Sequence, residues 1–219
     1  MTTFVEITLA CPSCRTVFGS RKITSCGNRG QDTDFRPHYW GMDPLPYFVH
    51  ACPACEFCGP LDDFQDETWE LPTPRECQEA EAVPNDLPGS RKCELAAERY
   101  RRAMPPDHCL VADLYLRGSW CARLEEHHGR EAALQRQAIL NFEEALEDGD
   151  LAPDRRAIIT YLTAELYRRV GRFDFARALF AECLKDESAF AELDWLPGLV
   201  QRQTSLACQG IAANTSFGD

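Results

Sequence analysis

Residues 46–55 read Pro-Tyr-Phe-Val-His-Ala-Cys-Pro-Ala-Cys, a strand-like run that leads directly into a CPxC turn. The same arrangement occurs earlier, where the strand-like residues 4–9 lead into Cys11-Pro-Ser-Cys14. A CPxC turn places two thiolates on the same side of a tight loop, as two corners of a zinc tetrahedron require. Two such turns therefore predict one structural Zn²⁺ ion held by Cys11, Cys14, Cys52 and Cys55.

The two turns are separated by 37 residues, which is longer than the ~15–20 residues common between paired CxxC motifs. This spacing predicts a loop-rich insertion over residues 26–46. Another metal, or a ligand set that includes a further residue near the turns, stays open; the candidates are Cys26, Cys58, His38 and His50. A thioredoxin-like redox pair is disfavoured, because no helical pattern follows either CPxC motif.

A catalytic zinc would need an open coordination position and a nearby general base, whereas four thiolates close the coordination sphere. Three polar residues of the insertion could be imagined as acid–base groups, namely Asp32, Asp34 and His38. We interpret them instead as a polar element that pairs with Arg36 and braces the insertion. The sequence also lacks a Gly-rich phosphate loop, an HExxH motif and a GxSxG motif, so we expect no enzymatic activity.

Composition and charge restrict the remaining classes of protein. The chain has 219 residues, 12 of them cysteine, and its hydrophobic content of 44% excludes wholesale disorder. No apolar run is long enough to cross a membrane, and the first residues do not resemble an export signal. Because so many cysteines without an export signal indicate a reducing compartment, we expect a cytoplasmic protein without a membrane partner.

The net charge of −12 is concentrated in one segment. Residues 61–89 contain nine acidic residues and one basic residue, together with several prolines, and are typical of a linker. No sizeable segment is basic, which argues against binding along a nucleic-acid backbone. Within the linker, Trp69 and Leu71 could anchor it to a neighbouring part of the chain.

The changes in composition along the chain predict an α+β fold with three parts. A small zinc-ribbon-like β module spans residues 1–60, the acidic linker spans 61–89, and an all-α domain spans 90–219. Apolar residues at helical spacing predict six helices, with Ser90 and Asp154 as N-caps and a break or kink of the last helix at Pro197-Gly198. The predicted ranges are 91–104, 108–127, 131–147, 154–170, 173–186 and 189–207.

The all-α part contains a pattern that repeats. Tyr167, Gly171, Phe173, Ala176 and Phe180 have the spacing of a tetratricopeptide repeat (TPR). The second-helix part of this pattern occurs again at residues 138–146, and a weaker version occurs at residues 96–103. An ordinary antiparallel bundle also uses small and aromatic residues at this spacing. We predict a TPR-like solenoid of two to three helical pairs, a fold that usually binds a peptide or another protein.

Three motifs appear in a familiar order. They are Cys11-Pro-Ser-Cys14-x3-Phe18, Asp32-x-Asp34-x-Arg36-Pro37-x-Tyr39, and Pro46-Tyr47-x-Val49-x2-Cys52-Pro-x-Cys55. With the helices that follow, they resemble a prokaryotic family of unknown function in which a double-CPxC zinc-binding region precedes TPR-like helices. The resemblance implies metal ligation by the four CPxC cysteines but no reaction. One departure is that Arg15 and Glu56 stand where such turns usually have glycine.

The function predicted from these observations is a non-enzymatic adapter, in which zinc stabilises the N-terminal module and the helices bind a protein or peptide partner. One alternative is nucleic-acid binding through the zinc ribbon, which the neutral charge of residues 1–60 disfavours. Another is a thiol or metal sensor that uses Cys26 and Cys58 beside the zinc. The basic cluster Arg168, Arg169, Arg172 and Arg177 could attract an acidic partner or the acidic linker, or could be a solvated helix end.

Overall fold

The computed structural model describes residues 1–65, 87–148, 151–185 and 193–218. Six strands in this part of the chain form three antiparallel pairs: β1 (Thr3–Ala10) with β2 (Val17–Ser25), β3 (Asn28–Gln31) with β4 (Pro37–Tyr39), and β5 (His50–Ala51) with β6 (Cys58–Gly59). The strand predicted over residues 4–9 is confirmed as β1. Small antiparallel strand pairs followed by helices confirm the α+β class.

Two predictions for the β region were wrong. Residues 46–51 are not one strand, because Leu45–Tyr47 form a 3-10 helix and only His50–Ala51 pair with a neighbouring strand. The prolines at positions 44 and 46 explain this, since proline favours a tight turn and cannot donate to a strand ladder. Residues 28–30, predicted as a loop, belong to β3 instead.

The helices that follow are α1 (Gly89–Arg101), α2 (His108–Leu124), α3 (His128–Glu147), α4 (Pro153–Arg169), α5 (Phe173–Cys183) and α6 (Leu196–Cys208). Each helix packs against the next one along the chain. Within the described ranges six helices occur in the predicted order, as expected from 3.6-residue periodicity, which is a strong local signal over segments of this length.

The predicted helix ends were less accurate. Pro153 is the first residue of α4 and Asp154 lies in its first turn, so Asp154 is not the N-cap. Proline fits this position because the first N–H of a helix has no partner within the helix. Ser90 lies inside α1, and its hydroxyl donates to Glu125 Oε2 at 2.5 Å. Pro197 is the second residue of α6, in its first turn, and does not kink the helix. The expected start at residue 189 lies outside the described residues.

Buried apolar side chains form two clusters. The smaller cluster lies beneath the CPxC turns and contains Leu9, Phe18 and Phe64 with two of the cysteines. The larger cluster unites the helices with Leu45, Val49 and Ala51 from the N-terminal part. Burial of apolar area therefore attaches the N-terminal strands to the helical part of the chain.

Little of the acidic linker belongs to the described residues. Its first residues form a 3-10 helix, Leu61–Phe64, whose Phe64 ring packs into the smaller cluster. Asp63 of this helix accepts hydrogen bonds from Arg99 and from Tyr100 of α1. The expected anchors Trp69 and Leu71 lie outside the described residues.

Candidate metal centre

Both CPxC turns are the connecting loops of β-hairpins. The first loop, residues 11–16, joins β1 to β2, and the second, residues 52–57, joins β5 to β6. In each loop the N–H of the first cysteine donates to the carbonyl that precedes the returning strand: Cys11 to Thr16 and Cys52 to Phe57, both at 2.9 Å. The two turns thus have the same local construction, and each presents its cysteines at one end of a hairpin.

The residue after each CPxC motif has a left-handed backbone. The φ angles of Arg15 and Glu56 are 68° and 56°, and their N–H groups donate to the carbonyls of Cys11 and Cys52 at 2.9 and 3.0 Å. These are the two positions where glycine is usual. The turns therefore keep the geometry that glycine favours, although a side chain in this conformation costs about 1–2 kcal/mol.

The fold brings the four CPxC sulfurs together. Cys11 Sγ lies 3.5 Å from Cys55 Sγ, and Cys14 Sγ lies 3.5 Å from Cys52 Sγ. All four sulfurs lie within 4.8 Å of one another. Four sulfurs at ~2.3 Å from one zinc ion would stand about 3.8 Å apart, so the cluster is compatible with a zinc site and could hold such an ion.

The protein surroundings of the sulfurs differ. Cys11 and Cys52 are fully buried, whereas Cys14 and Cys55 are exposed. Burial raises the pKa of the Cys11 thiol to about 12 and raises that of Cys52, although backbone N–H groups within each turn oppose this effect. Hydrogen bonds from Thr16 lower the pKa of Cys14 to about 6. Burial makes the charged thiolate form of these cysteines unfavourable. A bound cation that replaces the thiol protons would offset this cost.

One arginine connects the second turn to the helices. Arg99 of α1 lies over the Phe57 ring at 4.6 Å and donates to the Cys58 carbonyl at 3.1 Å, in addition to its contact with Asp63. Phe57 also packs edge-on against Phe64 with 5.3 Å between ring centroids. These contacts fix the second turn on the helical part without any residue of the cysteine cluster.

The other candidate ligands lie elsewhere. Cys58 is buried in the larger cluster, and burial raises its pKa to about 12. His50 Nδ1 lies 2.7 Å from Ser20 Oγ, while His38 Nε2 lies 2.6 Å from Asp32 Oδ1. Cys26 is exposed. Among the described residues, only the four CPxC cysteines place metal-binding atoms of at least three cysteine, histidine or acidic side chains within reach of one ion.

The acidic residues of the insertion contact Arg36, as expected, but their shorter contacts are with side chains of the helices. Asp34 is fully buried and accepts from Trp120 Nε1 at 3.1 Å and from Arg123 Nη2 at 2.6 Å. Arg169 Nη1 lies 2.8 Å from the same carboxylate. Burial opposes ionisation of Asp34, but Arg169 and Arg123 outweigh it and hold its pKa below the usual value. The element is thus bound to the helices. Arg36 lies 4.0 Å from Asp32 and donates its N–H to Asp34 at 3.4 Å, and it also pairs with Asp43 at 3.2 Å.

The side chains of two residues of the basic cluster are buried, whereas each interpretation offered for the cluster, an acidic partner, the acidic linker or a solvated helix end, needs them exposed. Arg168 is fully buried, and the side chain of Arg169 is only 4% exposed. Both arginines pair with buried Glu165, at 2.7 and 3.1 Å. Glu165 lies on the same helix, but helical periodicity gives no sign that the arginines are buried, because their other partners, Asp34 and the carbonyls of Ile211 and Ala213, are distant in the chain.

The fold and the cysteine cluster define a class of protein with a candidate four-cysteine metal centre on two hairpin loops, attached to a set of sequentially packed helices. The chain belongs to a bacterial family described as "Uncharacterized protein conserved in bacteria (DUF2225)", whose sequence model matches residues 4–204. No curated protein and no solved structure shows a significant match to it. Among the described residues, no helix has both the length and the apolar character needed to span a bilayer.

Proposed function

We propose that the protein is a non-enzymatic, cytoplasmic adapter, in which one structural Zn²⁺ stabilises the hairpin region and TPR-like helices bind a protein or peptide partner. The observation that carries the metal part is the convergence of four sulfurs from two matched hairpin loops. Four thiolates fill a tetrahedral zinc site, which is the arrangement of structural zinc centres.

The helical pair α4–α5 supports the TPR-like part of the proposal. Gly171 between the two helices has φ of 77°, a left-handed conformation that suits glycine. Ala176 and Phe180 of α5 are fully buried, and Cys183 is nearly so. A small residue and an aromatic residue at these positions allow the two helices to pack closely, as the helices of a TPR do. Stacked pairs of this kind form a concave surface that can bind a peptide.

The metal part is tested by elemental analysis of the purified full-length protein. We expect about one zinc per chain, because the four sulfurs form one tetrahedral set. Cys52→Ser should lose the zinc and lower the melting temperature, whereas Cys208→Ser, at an exposed position on α6, should change neither. Two zinc ions per chain, or none, would contradict the proposed centre.

The adapter part is tested by affinity capture from the native cell, followed by reconstitution with the purified partner. We expect a one-to-one complex by calorimetry and no turnover in a broad hydrolase screen. The proposal fails if no captured protein binds directly in reconstitution, or if the purified chain turns over a substrate.

A thiol or metal sensor is the alternative that one observation favours, with two exposed cysteines of the cluster in place of the predicted Cys26 and Cys58. Cys14 and Cys55 are exposed while the other two cysteines of the cluster are buried, so an oxidant in solution could reach one thiol of each turn. Titration of the zinc-loaded protein with peroxide, with released zinc measured by a chromophoric chelator, tests this function. Unchanged zinc and thiol counts after mild peroxide would exclude it.

A further inference from the structure

Residues 211–217, which we call the tail, lie against the loop between β3 and β4. Ser216 forms an antiparallel β-bridge with Asp32. The N–H of Thr33 donates to the Thr215 carbonyl at 2.9 Å, and the N–H of Phe217 donates to the Gln31 carbonyl at 3.0 Å. The tail is therefore held along this loop by main-chain hydrogen bonds, as an added strand would be.

A buried arginine holds the first half of the tail. Arg168 Nη1 donates to the carbonyls of Ile211 and Ala213, at 2.7 and 3.0 Å. The other nitrogens of the guanidinium donate to Glu165 at 2.8 and 2.7 Å, which fixes its orientation. Glu165 thus fixes the position of the guanidinium, which leaves Nη1 to donate to the tail. Because Nη1 binds main-chain carbonyls, this contact does not depend on the side chains of the bound peptide.

A second arginine holds the other half in the same way. Arg202 of α6 donates through Nη2 to the Ser216 carbonyl at 3.0 Å and through Nη1 to the Phe217 carbonyl at 3.2 Å. The main chain of the tail is therefore held by hydrogen bonds from two arginines and by two strand-like hydrogen bonds to the β3–β4 loop. Such contacts accept any extended peptide of suitable direction.

Two side-chain contacts add selectivity. The Phe217 ring lies 5.8 Å from that of Phe35 and 5.7 Å from that of Trp195, between ring centroids. Asn214 Nδ2 donates to Asp32 Oδ2 at 2.9 Å. Phe35 adopts φ of 65°, a costly conformation for an aromatic residue, and strain of this kind is concentrated at binding and switching sites.

The tail itself is poorly buried compared with the residues that hold it. Ala212, Ala213 and Asn214 are exposed, and the rest of the tail is only partly covered. Asp32, Thr33 and Arg168, by contrast, are buried. The groove thus contains buried residues, whereas the apolar packing of the tail against the core is made by Phe217.

We propose that this surface, which we call the tail groove (Gln31, Asp32, Thr33, Phe35, Arg168, Trp195 and Arg202), is the recognition site for an extended peptide of a partner protein, and that the chain's own tail occupies it in cis. This inference rests on the proposed adapter function and names its binding site and regulation. The partner segment would carry an aromatic residue preceded by small amide or hydroxyl side chains, as in Asn214-Thr215-Ser216-Phe217.

The tail is part of the same chain, so its effective concentration at the groove is of order millimolar. A partner peptide must compete with it, and weakening the tail should increase the apparent affinity for that peptide. The probe is a fluorescein-labelled peptide with the sequence of residues 210–218, and its binding to the full-length protein is followed by fluorescence polarisation.

We expect Phe217→Ala in the chain to bind the labelled peptide at least tenfold more tightly than the wild type. Ala212→Ser, at an exposed tail position, is the matched control and should behave as the wild type. A peptide whose own Phe is replaced by Ala should bind the Phe217→Ala chain at least tenfold more weakly. Adding Arg202→Gln to that chain should also weaken binding of the unchanged peptide.

Absence of peptide binding to a folded Phe217→Ala chain would overturn the inference. So would a wild-type dimer, seen by light scattering, that Phe217→Ala dissociates, because the occupant would then be the tail of a second copy. If Phe217→Ala does not fold, hydrogen exchange on the wild type decides. We expect the Phe217 amide to exchange much faster than the amides of α4. If the Phe217 amide and the α4 amides both exchange only when the whole protein unfolds, the tail is a permanent part of the fold and the inference fails.

The same experiments separate this inference from the adapter function. If a captured partner binds the wild type and Phe217→Ala equally while the tail peptide binds neither, the adapter function stands and the tail groove is excluded. If no partner is recovered, the adapter function fails whatever the peptide does.

Discussion

Arg15 and Glu56, beside the cysteine cluster, hold a backbone conformation that glycine adopts more easily. The sequence pattern identified both positions, because glycine is usual after such turns. The structure adds that the chain keeps the turn geometry and bears the conformational cost. This cost is local, so it can be measured by single substitutions.

We expect Glu56→Gly to raise the unfolding free energy of the zinc-loaded protein by about 1 kcal/mol, because it relieves the left-handed strain of an exposed side chain. Urea denaturation measures this change. Glu56→Ala is the control and should give no such gain, since alanine keeps the Cβ. Equal gains for both variants would assign the effect to the lost charge.

His50 is a second residue whose role depends on its surroundings. Burial, with a smaller contribution from Lys92, lowers its pKa to about 4 from the usual 6.5. As pH falls below 6.5 the unfolded chain takes up a proton that the folded chain excludes until about pH 4. Folding stability should therefore decrease over this interval, by up to about 3 kcal/mol.

His50→Asn has no proton to gain and should lose this part of the pH dependence, while the Asn amide can still approach Ser20. The measurement is the difference in urea unfolding free energy between the two zinc-loaded proteins from pH 7 to pH 4. Because protonation of the cysteines affects both proteins alike, parallel pH curves would show that His50 does not carry the effect.

At the scale of elements, the helices were the best-predicted part of the fold. Their periodicity extends over many residues, so six helices could be located in order. The ends were predicted less accurately, since Pro153 and Pro197 could either stop one helix or lie in the first turn of the next, and both lie in a first turn. The short strands β3 and β5 depend on pairing with a partner strand and gave a weak local signal.

Two glycines provide a matched test of the helical elements. Gly171, between α4 and α5, has φ of 77°, and Gly129, in the first turn of α3, has no positive φ; neither would meet another atom within 4 Å through an added Cβ. We expect Gly171→Ala to destabilise the protein by about 1 kcal/mol through backbone strain. Gly129→Ala should stabilise it by up to about 1 kcal/mol, because alanine favours a helix.

Thermal or urea unfolding of the two variants checks this prediction. Since neither Cβ meets a neighbour, a difference in sign between the variants isolates the backbone conformation. A Gly171→Ala protein as stable as the wild type would show that the α4–α5 connection does not require a left-handed residue.

At the scale of the whole molecule, a buried charge network joins the N-terminal part to the helices. Asp34 is the centre of this network, with Arg123 of α2 and Arg169 of α4 on its carboxylate. Asp32 pairs with Arg123 as well, at 2.7 Å. The β3–β4 loop is thereby fixed against two helices that are distant from it in sequence.

Asp34→Asn should lower the unfolding free energy by about 3–5 kcal/mol, because it removes the fully buried carboxylate that Arg123 and Arg169 share and leaves only their other acidic partners to balance them. The matched control is Asp113→Asn, whose partner Arg117 is a partly exposed neighbour on α2 at 2.7 Å; it should cost less than about 1 kcal/mol. Urea denaturation at pH 7 compares them, and equal losses would contradict a special role for the network.

The pH dependence of the same carboxylate has a defined sign. The pKa of Asp34 is lowered in the folded protein, so its contribution to stability is present above the ordinary value of 3.8 and is lost as pH falls through the folded value. The difference in stability between the wild type and Asp34→Asn should therefore persist down to about pH 4 and diminish only below it.

Local signals in the sequence were enough to select the four sulfurs that the fold brings together and the six helices in their order. A CPxC turn and a helical period each depend on residues only a few positions apart. The tertiary structure alone decided that Arg168 and Arg169 are buried, that Asp34 binds two helices, and that the tail lies on the β3–β4 loop. These features depend on contacts such as that of Thr33 with Thr215, between residues far apart in the chain, and a side chain's burial and charge partners are set only when such segments meet.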